Sequence, residues 1–441
     1  MMKRLLLSLL VGSFLLSTLN AQMKPLEFEK FELDNGLTVL LHQNNSAPVV
    51  TINVFYHVGS KNEKPGRSGF AHFFEHLMFE GSENIDRGEF DKYLAGVGGN
   101  NNAGTTFDYT LYFENLPSNQ LELGLWLESE RMLHAKVDIE GVETQREVVK
   151  EERRQNTDNQ PYGTLLEETV KRFFKGTPYQ TTPIGTMEDI NAAKESDFTD
   201  FYAEFYRPDN AVLSIVGDID IEETKKLVDK YFATIPSPED PVFRPEVKVQ
   251  RLTSEMRDTV YDQVQLPALI MAYPAPEQYS DDYYAMEMLN TILATGQSSR
   301  IYKSLVDDKK VALVAQSIQL AQESAGMNVL FGIANMGASL EDMEAAFDTE
   351  IEKIKTELIS ERDFQKIRNQ QESSFVFNFA SNAGIASALA TYEGFQGDAN
   401  LINTEIDRYL AVTREDIQRV AKKYLNKENR LVISWLPASG Q

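Results

Sequence analysis

The 441-residue chain contains no cysteine. That excludes disulfides and a lipid-anchored lipoprotein, so the fold must rest on its core alone. Histidine is scarce, with five in the chain, so any cluster of them carries weight. No low-complexity tract occurs, and 42% hydrophobic with 25% charged residues is the composition of a globular protein. Positive charge is short as well: 43 Lys and Arg stand against 67 Asp and Glu, a formal net charge of −24. Such acidity argues against nucleic acid and anionic membrane surfaces as partners.

One apolar run stands out, at the N-terminus. "MMKRLLLSLLVGSFLLSTLNAQ" places Lys3 and Arg4 before an apolar stretch from Leu5 to Leu16, then small and polar residues to Ala21. The run is short for a membrane span and reads as a secretory signal peptide over residues 1–21; a retained anchor is the other reading. Residues 1–21 hold two cations and no carboxylate, so their removal takes −24 to −26. An exported protein is expected, periplasmic or extracellular, without a membrane span once the signal is cut.

A chain of this length exceeds one ordinary core. "TIPSPEDPVFRPE" packs four prolines between Pro236 and Pro245. Proline fixes φ and removes backbone donors, so residues 236–246 are expected to be a stiff connection. It separates a domain at 22–235 from one at 247–441. "SDFTDFYAEFYRPDNAVLSIVGDID" and "TREDIQRVAKKYLNKENRLVISW" share the order helix, Asn turn and β-branched strand, with Asn210 and Asn429 219 residues apart. Either the two halves repeat one fold or a common motif occurs twice. Alternating strands mixed with 3.6-period helices make the class α+β. "FELDNGLTVLLHQNNSAPVVTINVFYHVGS" reads as two strands joined by an Asn-Asn-Ser turn.

"SGFAHFFEHLMFEG" sets three ionisable side chains inside a core-like segment. With Ser68 as N-cap and Gly81 as stop, residues 69–80 are expected to be helical. At about 100° per residue, His72, Glu75 and His76 share one arc. Burying them unpaired would cost several kcal/mol, which a divalent ion largely offsets. Histidines at i and i+4 can both reach one tetrahedral ion, with the intervening Glu facing a water. A pair of hydrogen-bonded core histidines is the bland alternative. A third ligand is sought in "VETQREVVKEERRQ". Gln145, Val148, Val149 and Glu152 fall on one stripe, whereas Glu143, Glu147 and Glu151 lie on the opposite, solvated side. Glu152 is therefore the expected ligand.

His-x-x-Glu-His followed by a Glu 76 residues later resembles the signature of the pitrilysin/insulinase zinc peptidases, the inverzincins. "GGNNNAGTTFDYTLYFENLP", "FYRPDNAVLSIVGDID" and "GQSSRIYKSL" resemble further segments of that family. The resemblance spans the mature chain and implies two similar domains, each an antiparallel-rich sheet with helices on one face. Four such domains would enclose a chamber, here from two chains. It also implies one Zn²⁺ on His72, His76 and Glu152, with Glu75 as the base, and peptide hydrolysis. From Thr105 to Phe113, apolar Phe107, Tyr109, Leu111 and Phe113 alternate with polar residues, the pattern of a half-buried strand. By resemblance this edge accepts the peptide, with Asn102 and Ala103 at its start.

The chain departs from the family pattern twice. Many relatives carry a Glu where this chain has Gln145, so the support behind the metal is uncharged. An Arg and a Tyr that stabilise the oxyanion are replaced by Val306 and Leu313, which cannot donate. The expected assembly is therefore a heterodimer with a related, zinc-free chain that supplies Arg and Tyr. The competing class is a non-catalytic zinc-binding or assembly subunit that holds extended peptides.

Overall fold

The computed structural model describes residues 24–250 and 252–438. The expected signal peptide at 1–21 lies outside the described residues. Two sheets organise them, and each is the spine of one half. The first contains β1 (Glu29–Glu32), β2 (Thr38–Gln43), β3 (Val49–Tyr56), β4 (Asn100–Thr105), β5 (Thr110–Pro117) and β6 (Ala211–Gly217). The second contains β7 (Met256–Asp262), β8 (Ala268–Ala275), β9 (Ala312–Ala321), β10 (Gly326–Ala334) and β11 (Leu431–Pro437).

The spatial orders are β1-β2-β6-β3-β5-β4 and β7-β11-β8-β10-β9. Leaving out β1, the two orders are the same. In each, the final strand lies between the first two and runs parallel to the first, as β6 does to β2 and β11 to β7; the other pairings are antiparallel. The α+β class and the similarity of the halves are as the sequence led us to expect. The two strands expected around the Asn-Asn-Ser turn are β2 and β3, and β6 lies between them in the sheet.

The first half carries α1 (Phe70–Leu77), α2 (Phe90–Gly96), α3 (Leu121–His134), α4 (Ile139–Arg153), α5 (Leu165–Phe173), α6 (Met187–Ala192), α7 (Glu195–Phe205) and α8 (Ile221–Phe232). The second carries α9 (Tyr283–Ala294), α10 (Leu340–Thr356), α11 (Glu361–Asn378), α12 (Asn382–Gln396), α13 (Leu401–Ala411) and α14 (Arg414–Tyr424). Helices of each half bury one face of their own sheet: Ile52, Val54 and Leu213 pack with Phe73, Leu125 and Phe198, and Leu269, Met271 and Val432 with Leu289, Phe347 and Val420.

The opposite faces are covered by exchange. Ile385, Leu389 and Ala390 of α12 lie on Leu40, Phe55 and Val216 of the first sheet. Phe173 of α5, with Phe174 and Tyr179, lies on Ile270, Val329 and Trp435 of the second. Strands buried on both faces read as continuous apolar runs, which is the pattern of "AVLSIVG" and "ALIMAY". A buried polar cluster joins the halves beside this exchange. Lys61 Nζ lies 2.9 Å from Asp108 Oδ1 and pairs with Glu323, and Tyr179 Oη donates to Asp108 Oδ1 at 2.6 Å.

The proline-rich segment has no regular secondary structure over 236–246. It is held against the first half: Phe243 N donates to Glu204 Oε1 at 2.8 Å and Arg244 Nη1 to the His57 carbonyl at 2.7 Å.

Candidate metal centre

Helix α1 is shorter than expected, Phe70–Leu77, and Ser68 does not cap it. Gly69 holds the N-cap position with φ 86°, a left-handed conformation that suits glycine. The capping oxygens come from Glu63, whose carboxylate accepts from Gly69 N at 3.1 Å and Ala71 N at 2.9 Å. A carboxylate at a helix N-terminus also opposes the dipole. Ser68 instead donates to Asp189 Oδ2 at 2.5 Å, which ties the helix start to α6. Gly69 and Gly185 cross so closely that a Cβ on either would strike the other's backbone. Phe70, Phe73 and Phe74 face the core and fix the roll of the helix, so His72 and His76 turn toward α4.

The inward stripe of α4 differs from the expected one. Val142, Arg146, Val149 and Arg153 are buried, while Val148 is 45% exposed. The stripe contains two arginines because each finds oxygen partners inside. Arg146 donates to the Ala193 carbonyl at 2.7 Å and to the Ile190 carbonyl. Arg153 lies 2.9 Å from Glu167 and donates to the Gly185 carbonyl. Gln145 and Glu152 flank this stripe, and Glu143, Glu147 and Glu151 are exposed as expected.

Three atoms converge between the two helices. His72 Nε2 and His76 Nε2 are 3.3 Å apart, and Glu152 Oε2 lies 3.2 Å from His76 Nε2 and 3.6 Å from His72 Nε2. A tetrahedral ion about 2.0–2.1 Å from each donor would hold them about 3.3–3.4 Å apart. The triangle therefore fits such an ion. Two imidazoles and one carboxylate are also a donor set used by zinc sites that keep one position open. Burial, then the neighbouring His76, lowers the His72 pKa to about 4, which keeps the ring neutral as a ligand must be. The hydrogen bond from His76 holds the Glu152 carboxyl below its usual range, against the opposing effect of burial.

Glu75 is buried, 8% exposed, and burial pushes its carboxyl above the usual range. Thr105 Oγ1 donates to its Oε2 at 2.5 Å. Gln145 Nε2 donates to Glu80 Oε1 at 2.5 Å, and among the described residues neither ring hydrogen-bonds it. Glu80, which the sequence reading missed, is buried and lies 2.8 Å from Arg87 Nε. Helical spacing from His76 does not mark it, because α1 ends at Leu77 and residue 80 lies beyond the helix.

The strand expected from Thr105 to Phe113 is two strands. β4 ends at Thr105, the chain turns through Thr106–Tyr109, and β5 begins at Thr110. The inward residues of β5 are Thr110, Tyr112, Glu114 and Leu116, not Leu111 and Phe113. Thr110 Oγ1 donates to the Val58 carbonyl at 2.9 Å and the Tyr112 and Tyr206 hydroxyls are 2.8 Å apart, whereas the Glu114 carboxyl has no hydrogen-bond partner among the described residues and burial pushes it well above the usual range. β4 is the free edge of its sheet and packs against α1. Asn102 is exposed there, its Oδ1 accepting from Ala103 N, and Ala103 is half-buried. In the second half Val306 packs into the core, and Leu313, on edge strand β9, is 48% exposed.

Residues 38–187 match the family described as Insulinase (Peptidase family M16), and residues 193–371 match the Peptidase M16 inactive domain. The chain is similar to the zinc protease PqqE of Helicobacter pylori, 32% identical over 423 residues, which are 94% of this chain and 95% of that protein. It is 24% identical over 408 residues to the probable mitochondrial-processing peptidase subunit beta of Arabidopsis thaliana, covering 89% of this chain and 75% of that protein. The crystal structure of a protease from Helicobacter pylori superposes with a TM-score of 0.89 at 30% identity, covering 94% of this chain and all of that one. The periplasmic protease PqqL from Escherichia coli shares the fold with a TM-score of 0.74 at 16% identity, and this chain spans 48% of its length. Likeness over nearly the full length of a zinc protease at 32% identity, with both halves matched, places the chain in the insulinase family of peptidases, M16.

Proposed function

We propose that the protein is an exported zinc metalloendopeptidase that hydrolyses unfolded peptides as the zinc-bearing member of a heterodimer. The carrying observation is the convergence of His72 Nε2, His76 Nε2 and Glu152 Oε2 within 3.6 Å of one another. These residues would hold one Zn²⁺ per chain. When bound, the ion supplies a Lewis acid that polarises the scissile carbonyl and acidifies a water. Glu75 takes the proton of the attacking water and returns it to the leaving amine. Burial holds its carboxyl above the usual range, the direction a general base needs. Asn102 and Ala103, on the free edge of β4, receive an extended peptide as an added strand, so affinity comes from backbone bonds. Gln145, two turns before Glu152 on α4, is the uncharged residue beside the site, and it donates to Glu80 rather than to a ring.

Val306 and Leu313 support the heterodimer, because neither can donate to an oxyanion. Loss of one such donor costs about two to three powers of ten in rate. A related zinc-free chain would supply Arg and Tyr. The Arabidopsis relative is named as one subunit of a peptidase, and PqqL is about twice as long as this chain; both support pairing. The N-terminal apolar run supports export, and among the described residues no helix is long and apolar enough to cross a membrane.

The missing donors also favour a second reading, a zinc-binding subunit that holds peptides without cutting them. Co-purification from the native envelope, then zinc and cleavage assays on an unstructured peptide with and without the companion, separates the two. Cleavage only with the companion, abolished by Glu75→Gln while zinc is retained, is expected. Full cleavage by the chain alone would remove the heterodimer, and zinc without cleavage in the pair would leave the binding reading.

A further inference from the structure

We propose that Thr105 is a positioning residue that ties the carboxylate of Glu75 to the end of the strand that receives the peptide. This rests on the peptidase reading above and adds to it a link between peptide docking and the orientation of the base. Thr105 is the last residue of β4 and lies opposite Thr110 in β5. Their hydroxyl oxygens are 3.3 Å apart, while Thr110 Oγ1 donates its proton to the buried Val58 carbonyl at 2.9 Å. A hydroxyl has one proton. The Thr110 proton is therefore committed, and the Thr105 proton points to Glu75 Oε2, 2.5 Å away.

That length is typical of a hydroxyl donating to a carboxylate. Among the described residues no other hydrogen bond reaches the Glu75 side chain, so this contact alone assigns its two oxygens. Oε2 is anchored, and Oε1 is left to exchange the proton. The anchor sits on a strand whose outer edge is unpaired among the described residues. A peptide that adds to that edge stiffens β4 and, through Thr105, holds Glu75 still. Peptide affinity comes from backbone bonds along the strand, so loss of the hydroxyl is expected to lower kcat and spare KM.

Thr105→Val removes the donor at nearly constant volume, and Thr105→Ser keeps it. With the full chain and its companion, Thr105→Val should retain zinc and KM and lose kcat by about tenfold or more, the effect of roughly 1.4 kcal/mol on the barrier. Thr105→Ser should stay within about twofold of wild type. A second readout does not depend on cleavage. In protein loaded with cobalt(II), the pH midpoint of the visible spectrum should move in Thr105→Val and not in Thr105→Ser. Unchanged kcat and midpoint in Thr105→Val, or equal damage in Thr105→Ser, would overturn the proposal. If wild type cleaves nothing even with its companion, the peptidase reading fails, and the cobalt midpoint alone decides the role of Thr105.

Discussion

Gly394 of α12 lies against the ring of Phe55 in β3, so that a Cβ at residue 394 would run into that ring. The two residues belong to opposite halves of the chain. Phe55 is fully buried, stacked on Tyr109 and edge-on to Phe395. A shift of the Phe55 ring would press on Tyr109 and Phe395. Gly394→Ala should therefore destabilise by about 1–3 kcal/mol through overpacking, although alanine favours a helix. A lower urea midpoint with an unchanged slope is the expected result. An unchanged midpoint would mean that α12 does not cover the first sheet.

Glu323 joins the same two halves from the turn between β9 and β10. Its Oε2 is 2.9 Å from His57 Nε2 and pairs with Lys61. Burial would raise this carboxyl, but the hydrogen bond and charge of His57, then Lys61, hold it down at about 2. A folded pKa below the unfolded value of about 4.3 gives stability that is present above pH 4.3 and lost as pH falls toward 2. After allowance for the 29% exposure of the side chain, the contribution is about 1–2 kcal/mol. Glu323→Gln should be less stable than wild type by that amount at pH 7. The gap in denaturant midpoint should close between pH 4.3 and pH 2.

Arg146 is placed to control the metal site without touching it. Its guanidinium, buried beneath α4, donates to the carbonyls of Ile190 and Ala193. Arg146→Met would leave both carbonyls unpaired, at a cost of about 2–4 kcal/mol. Because the same helix carries Glu152, zinc affinity should also fall, by roughly tenfold or more. Zinc titration of the folded variant checks the second effect separately from the first. Stability loss with unchanged affinity would mean that α4 holds Glu152 without this anchor.

These arginines show where the sequence stops being legible. His72, Glu75 and His76 could be read because helical periodicity alone sets them on one arc, and Glu152 because it shares a side with Val149. Arg146 and Arg153 carry no inward signal in the sequence, yet they are inside. Their partners are carbonyls at Ala193 and Gly185, 47 and 32 residues away, which composition cannot show. Val148 was placed inward for the complementary reason, since apolar character does not reveal an open side of a helix. The β4–β5 hairpin was missed because Tyr109 and Leu111 are covered by the second half. With the outer face of β5 half-buried and apolar at Leu111 and Phe113, the apolar residues of the alternation mark the outer face and not the inner one. The exchange of α5 and α12 was not legible: a helix buried on a distant sheet has the same amphipathic pattern as one buried on its own.

The metal site yields the last prediction, through linkage. Anything that binds only the folded chain stabilises it, by about 4 kcal/mol when the ligand stands at a thousand times its Kd. Chelator-treated protein should therefore melt at a lower temperature than protein with added zinc. Glu152→Gln removes the charge from one corner of the triangle, and the zinc-dependent rise should shrink or vanish. Glu75→Gln changes a residue outside the triangle and should keep the rise. Acid should affect the metal-free protein through His72, whose pKa is lowered to about 4 by burial and by His76. A folded pKa below the unfolded value of about 6.5 means that stability is lost as pH falls from 6.5 to 4, because the unfolded chain takes up the proton first. His72→Asn should flatten that part of the curve. An equal zinc response in wild type and Glu152→Gln would show that the ion binds elsewhere.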